Sequence, residues 1–119
     1  MTEHVDDHLP LAPAVFHVLL ALADGEKHGY AVMREIRTRT SGAVSLSAST
    51  LYGIVKRLVE NGLIEESSER PDPALDDERR RYYRLTDLGR AVAVAESRRL
   101  EATLGIARAK RLIPSPRLR

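Results

Sequence analysis

Apolar side chains recur every three to four residues through the first half of the chain, which predicts helices. The first helix is expected to begin at Pro13, and residues 15–23 are apolar around nearly the whole circumference. A helix without a polar face is buried on more than one side. In so small a domain, the second buried side predicts contact with a partner subunit through Phe16 and Leu20.

Two further helices are expected before the middle of the chain. The second should cover about residues 28–40 and stop at Gly42, because glycine readily adopts the left-handed conformation that ends helices. Residues 43–46 are then expected to form a short strand. Ser47 is a favourable cap for the third helix, which should end at Asn61-Gly62.

The remaining pattern predicts a β-hairpin followed by a long helix. Strands are expected at residues 63–68 and 80–85, around a polar loop at about 69–78. Thr86 is a good cap for a helix over about residues 87–111. The predicted fold is mainly α (α+β): a winged helix-turn-helix with a long C-terminal dimerisation helix. Since no strand-helix-strand repeat occurs, a βαβ enzyme core is excluded.

These elements divide the chain into four parts. We expect an N-terminal tail over residues 1–11, a winged helix-turn-helix DNA-binding domain over 12–86, a dimerisation helix over 87–113 and a disordered tail over 114–119.

The third predicted helix has one apolar stripe and a distinctive opposite face. The stripe consists of Leu51, Ile54, Val55, Leu58 and Val59. Ser49, Gly53, Lys56 and Glu60 lie opposite, so the exposed N-terminal half is small and hydroxylated, with a cation one turn later. Such a surface approaches a DNA groove closely, although an ordinary amphipathic surface helix would show the same stripe.

Composition excludes several classes of protein. The chain has 119 residues and no cysteine, which excludes a disulfide scaffold and a cysteine nucleophile. No apolar run is long enough to span a membrane, and the acidic N-terminus does not resemble a signal peptide, so a cytoplasmic protein is expected. No catalytic constellation is present, and no cofactor is predicted. His4 and His8 lie in the predicted tail, so no metal site is expected there.

The net charge of +2 conceals an uneven distribution along the chain. Residues 61–78 carry a net charge of −6, whereas residues 79–119 carry +9. Three consecutive arginines, Arg79, Arg80 and Arg81, introduce the second predicted strand, and arginine binds phosphate through two hydrogen bonds. Alternatively, the preceding acidic residues, Asp76, Asp77 and Glu78, neutralise them locally.

The last predicted helix carries small and aliphatic residues at seven-residue intervals, a spacing that suits close packing between helices. The predicted dimer contacts on it are Leu88, Val92, Ala95, Ala102 and Ile106. Arg99 interrupts this stripe and is expected to pair across the dimer.

The chain resembles the PadR-type transcriptional regulators in several segments spread over about residues 12–90. These segments are His28-Gly29-Tyr30, Ser47 followed by Thr50-Leu51-Tyr52, Lys56-Arg57-Leu58, Gly62-Leu63-Ile64, and Arg81-Tyr82-Tyr83-Arg84-Leu85-Thr86 with Gly89. The resemblance implies a homodimer that binds an inverted-repeat operator in double-stranded DNA, usually as a repressor. It also implies that the final helix forms the dimer interface near the partner's first helix.

By position, the resemblance implies two sets of DNA contacts. Those of the recognition helix would be Ser47, Ser49, Thr50, Tyr52 and Lys56, and those of the wing would be Arg79, Arg80 and Arg81. Two departures stand out: Gly53 replaces a frequent proline, and Asp77-Glu78 replace a frequent glycine before the basic run.

Some members of the family bind hydrophobic molecules, which leaves a small hydrophobic effector open. Two alternatives without a DNA role are a winged-helix module that binds proteins and a dimer that binds small molecules.

Overall fold

The computed structural model describes residues 4–67 and 81–115. A 3-10 helix, Val5–His8, precedes the main elements. These are α1 (Pro13–Ala21), β1 (Lys27–His28), α2 (Gly29–Arg39), α3 (Ala48–Glu60), β2 (Ile64–Glu66), β3 (Tyr82–Leu85) and α4 (Asp87–Ala109). None of the helices within the described ranges combines the length and the apolar content needed to cross a bilayer.

A small antiparallel sheet has the strand order β1-β3-β2. Lys27 pairs with Tyr83, and Ile64 pairs with Leu85. The predicted strand at residues 43–46 is therefore wrong, since the third strand lies before α2. The side-chain hydroxyl of Thr40 explains the difference, because it bonds both the N–H (3.0 Å) and the carbonyl (3.2 Å) of Val44 and holds this loop against the end of α2.

The predicted helix ends are confirmed by their hydrogen bonds. Ser47 Oγ accepts from Thr50 N at 3.2 Å at the start of α3, and Thr86 Oγ1 accepts from Gly89 N at 3.0 Å at the start of α4. Gly42 and Gly62 have φ angles of 84° and 76°, the left-handed region that glycine adopts without steric cost.

The hydrophobic core lies where α1, α2 and α3 meet the sheet and the first turns of α4. Val18, Leu19, Leu51 and Val92 are completely buried. Within α4, the last buried residue is Glu96, and most of the residues after it are exposed. The winged helix therefore has a complete core of its own, from which the second half of α4 projects.

The N-terminal segment is folded against α4, in contrast to the predicted tail. Val5, Leu9 and Leu11 pack against the core. Glu96, which is 2% exposed, receives hydrogen bonds from Arg99 at 2.7 and 2.9 Å. These bonds lower the pKa of Glu96 against the opposing effect of burial, with a smaller contribution from the backbone of Leu11. Arg99 thus pairs with Glu96 of its own chain, and the expected pairing across a dimer stays a prediction.

Candidate nucleic-acid interface

Three hydroxyl groups cluster at the N-terminus of α3. Ser47 Oγ lies 3.0 Å from Thr50 Oγ1 and 3.3 Å from Ser49 Oγ. All three residues are exposed. Hydroxyl groups at a helix N-terminus, where backbone N–H groups also point outward, are well suited to bind phosphate oxygens or base edges.

Cations follow this cluster along the same helix. Lys56 and Arg57 are exposed, and neither makes an ion pair with any of the residues that the structure describes. Between the hydroxyls and the cations, Gly53 faces open space, because a Cβ added there would meet nothing within 4 Å. We call the surface formed by Ser47, Ser49, Thr50, Gly53, Lys56 and Arg57 the recognition face.

Tyr52 is placed differently from the other predicted contacts on α3. Its side chain is partly buried and packs against the core. A Cβ on Gly29 would lie only 2.4 Å from the Tyr52 hydroxyl oxygen, so the ring crosses directly over the start of α2. The geometry indicates that Tyr52 fixes α3 against α2, and any contact of its own with DNA stays a prediction.

Acidic side chains on one strand of the wing pair with basic side chains on or beside the other strand. Arg84 Nε lies 2.8 Å from Glu65 Oε1, and Arg81 Nε lies 3.6 Å from Glu66 Oε1. The first pair joins β2 to β3 and the second joins β2 to the residue before β3, and all four side chains are at least one-third exposed. Arg81 is thus close to α3 but already has an acidic neighbour. Arg79, Arg80 and the acidic loop before them lie outside the described residues, so their contacts stay predictions.

A shallow groove of about 260 Å³ separates α3 from the wing. Lys56 lines it on the helix side, and Arg81 lines it on the wing side. Glu60 and Glu66 line it as well, so its charge is mixed. The groove therefore brings together two predicted contacts from α3, Tyr52 and Lys56, and one from the wing, Arg81, and adds two carboxylates that the predicted site did not include.

The sequence contained a signal for these carboxylates. Glu60 lies on the exposed face of the predicted third helix, beside Lys56. Antiparallel pairing of the two predicted strands brings Glu65 and Glu66 near the arginines of the second strand, a favourable cross-strand arrangement, and in the structure Glu65 is opposite Arg84.

The predicted dimer contacts fall into two groups. Val92 is completely buried in the core of its own chain, and Phe16, Leu88 and Ala95 are partly buried. Leu20 (40%), Ile106 (59%) and Ala102 are exposed. Val92 is therefore unavailable to a partner, because it is already packed in the core of its own chain. Val94 and Leu104, both 44% exposed, are exposed apolar residues of α4 that the predicted set does not include.

Three helices, a small sheet with a hairpin and an exposed face on the third helix together define a winged helix-turn-helix protein. A model of the transcriptional regulator PadR-like family matches residues 18–95. The chain thus belongs to the PadR-like family of transcriptional regulators, which is a family of regulators and not of enzymes.

Two relatives were found by sequence. Transcriptional regulator Rv3488 of Mycobacterium tuberculosis is 35% identical over 85 residues, which are 71% of this chain and 73% of that protein. An uncharacterized protein of Lysinibacillus sphaericus is 31% identical over 74 residues, which are 62% of this chain and 65% of that protein. The match thus spans just under two-thirds of the Lysinibacillus relative.

Solved structures share the fold. A transcriptional regulator from Clostridium thermocellum superposes with a TM-score of 0.66 and 26% identity, over 80% of this chain and 86% of that one. PadR of Bacillus subtilis, solved in complex with operator DNA, has a TM-score of 0.60 and 20% identity, over 92% of this chain and 52% of that one. At 20% identity, the second likeness concerns the fold alone.

Proposed function

We propose that this protein is a homodimeric repressor that binds a specific inverted-repeat operator in double-stranded DNA. The recognition face carries the proposal: exposed hydroxyls at the N-terminus of α3 are followed by Lys56 and Arg57, which have no ion-pair partner among the described residues. In a helix-turn-helix, this end of the second helix meets base edges in the major groove. PadR of Bacillus subtilis, which shares the fold, has itself been solved in complex with operator DNA.

In this mode the residues have separate tasks. Ser47, Ser49 and Thr50 approach bases or the nearest phosphates, and Lys56 neutralises phosphate. Tyr52 holds α3 in place. Arg81, together with Arg79 and Arg80, binds the backbone beside the groove that α3 enters.

The second half of α4 supports the homodimer. Leu104 and Ile106 are 44% and 59% exposed on a helix that extends beyond its own core. A second copy would cover these side chains, with Ala102 allowing the two backbones to approach closely and Leu20 contributing from α1. Sedimentation equilibrium should give twice the monomer mass of 13.3 kDa, whereas a monomer at micromolar concentration would contradict the dimer.

A fluorescence anisotropy titration tests DNA binding. Labelled fragments from the chain's own genomic neighbourhood should include one that is bound far more tightly than a scrambled duplex, with affinity falling steeply as salt increases. Equal affinity for every fragment would contradict specific recognition. A reporter driven by the bound promoter should be repressed by the protein, and activation would contradict the repressor role.

The proposal includes a response to a small hydrophobic effector. An open groove of about 780 Å³ lies between the N-terminal segment and α4, lined by apolar residues such as Val5, Leu9 and Val94, with Arg98 and Arg99 beside them. A volume of this order suits a drug-sized molecule. An effector should raise the melting temperature and release operator DNA, and a ligand that does the first without the second would contradict the regulatory role.

A further inference from the structure

The start of α4 is attached directly to the turn that ends α3. Thr86 Oγ1 donates a hydrogen bond to the carbonyl oxygen of Gly62 at 2.6 Å, while it accepts one from Gly89 N at 3.0 Å. The backbone N–H of Thr86 donates to the carbonyl oxygen of Leu63 at 3.1 Å. One threonine therefore caps α4 and also holds it to Gly62 and Leu63, which follow the C-cap of α3, Asn61.

Leu63 connects the two helices through its backbone. Its N–H donates to the carbonyl oxygen of Leu58 in α3 at 2.9 Å, and its own carbonyl accepts from Thr86. The side chain of Leu63 is 2% exposed. The peptide groups of this residue thus link the C-terminal turn of the recognition helix to the N-terminal turn of α4, with no flexible segment between them.

Gly89 makes this contact closer than any other residue would allow. A Cβ at this position would lie 1.9 Å from the carbonyl oxygen of Leu63 and 2.8 Å from its carbonyl carbon. The obstacle is backbone, so it cannot rotate away as a side chain would. Relief to an ordinary contact requires α4 to move by about 1.5 Å relative to the turn, because packed interiors do not absorb such an overlap locally.

A movement at this point is amplified along α4. The helix has 23 residues and is therefore about 34 Å long. A tilt of about 5° at its first turn displaces its far end by about 3 Å, which approaches the separation of neighbouring base pairs, about 3.4 Å. In a symmetric dimer joined through the far half of α4, both recognition helices would shift in this way.

We propose that Thr86 and Gly89 are positioning residues that set the angle between α3 and α4, and through it the half-site spacing that the dimer accepts. The proposal rests on the proposed function, because it assumes a dimer formed through α4 and an operator with two half-sites. Neither residue contacts DNA in this proposal. They determine which distance between the two half-sites the dimer binds most tightly.

The first experiment measures the dissociation constant for a series of operators whose half-sites are moved apart or together by one and two base pairs. The dependence of the dissociation constant on half-site spacing is the spacing profile. Thr86→Val and Gly89→Ala should move the spacing that is bound most tightly, or reduce the ratio of affinities for neighbouring spacings at least fivefold. Thr86→Ser keeps the hydroxyl and should match the wild type. Gly105→Ala is the matched control for Gly89→Ala in the distance measurement below, because within one protomer the same change on the same helix meets nothing within 4 Å.

The second experiment requires no DNA. The chain has no cysteine, so Glu60→Cys on α3 and Glu101→Cys on α4 introduce two unique labelling sites, both exposed. Pulsed electron resonance on labelled protein diluted with unlabelled protein gives the distance within one protomer. Thr86→Val or Gly89→Ala should shift this distance by about 2 Å or more or broaden its distribution, and Thr86→Ser and Gly105→Ala should leave it unchanged.

Outcomes of the two experiments are separable. An unchanged distance and an unchanged spacing profile in folded Thr86→Val would overturn the proposal, as would equal shifts of the distance within one protomer in Gly105→Ala and Gly89→Ala. If the wild type binds no operator, the proposed function fails, and the distance alone then decides whether this attachment fixes the two helices. If Gly89→Ala does not fold, Thr86→Val decides both experiments, because it removes hydrogen bonds without adding an overlap.

Discussion

The recognition face of α3 and the described part of the wing both carry exposed cations, but the cations are in different electrostatic states. Lys56 and Arg57 have no ion-pair partner among the described residues, whereas Arg81 and Arg84 lie beside Glu66 and Glu65. A phosphate that approaches α3 meets cations that make no ion pair within the part of the chain that the structure describes. A phosphate that approaches Arg81 or Arg84 must displace the carboxylate that already lies beside that arginine.

The number of arginines on the wing therefore overestimates what the wing contributes to DNA binding. Counterions are released from DNA only as far as the protein supplies charge that was not already neutralised. The recognition face should therefore provide most of the binding free energy per cation, and the described wing strands should contribute less. The following predictions test this difference in order of expected effect.

The largest effect is expected for Lys56→Glu. Reversing the charge beside the exposed hydroxyl cluster should weaken operator binding by about 100-fold, which corresponds to about 3 kcal/mol. Lys110→Glu, an exposed lysine that directly follows α4, makes the same change away from α3 and should alter affinity less than threefold. Anisotropy titrations measure both, and equal losses would show that net charge alone matters.

An intermediate effect is expected for Tyr52→Ala. Removing a ring that packs over Gly29 should cost about 2–3 kcal/mol of folding free energy and weaken operator binding about 10-fold, because α3 loses its support on α2. Tyr52→Phe keeps the ring and should retain affinity within about threefold. If folded Tyr52→Phe loses as much operator affinity as folded Tyr52→Ala, then the hydroxyl contacts DNA and the positioning role is wrong.

A smaller effect is expected for Arg81→Ala. Because Glu66 already neutralises part of its charge, this variant should weaken binding by only about 2–4-fold and flatten the salt dependence by less than the full unit expected for a fully available cation. The loss should be similar for specific and scrambled duplexes. A loss as large as that of Lys56→Glu would contradict the comparison between the two surfaces.

The smallest effect, and the only gain, is expected for Glu66→Gln. Removing the carboxylate releases Arg81 for phosphate, so affinity should rise about twofold and the salt dependence should become steeper. Glu101→Gln, an exposed carboxylate on α4, is the matched control. If Glu66→Gln changes neither the affinity nor the salt dependence of binding, then the ion pair between Arg81 and Glu66 does not compete with DNA.

Local sequence signals predicted the helices well, because each is ended by a group that acts within its own turn. Ser47, Thr86, Gly42 and Asn61-Gly62 fall at the expected ends of helices. The winged-helix order followed from these ends and from the alternating residues of the hairpin. The resemblance added the family, which the match over residues 18–95 confirms.

The errors arose where distant residues decide the structure. The short strand was misplaced because Lys27–His28 is too short for a periodic signal and is fixed only by pairing with Tyr82 and Tyr83. The N-terminal segment was expected outside the fold because its attachment to α4 involves Glu96, which is far away in sequence. The pairing of Arg99 with a residue of its own chain was not predicted for the same reason, since periodicity shows on which face of a helix a residue lies but not which residue it pairs with.

The open space around Gly53 has a consequence for how this protein could diversify. Most surface substitutions change the stability of a protein little, but few exposed positions lie at the centre of a surface that meets a partner. At Gly53 an added Cβ would meet no described atom within 4 Å, and alanine would strengthen the helix by about 1 kcal/mol. The centre of the recognition face is thus a position where operator preference can be redesigned, or can drift between descendants, without a penalty in foldability.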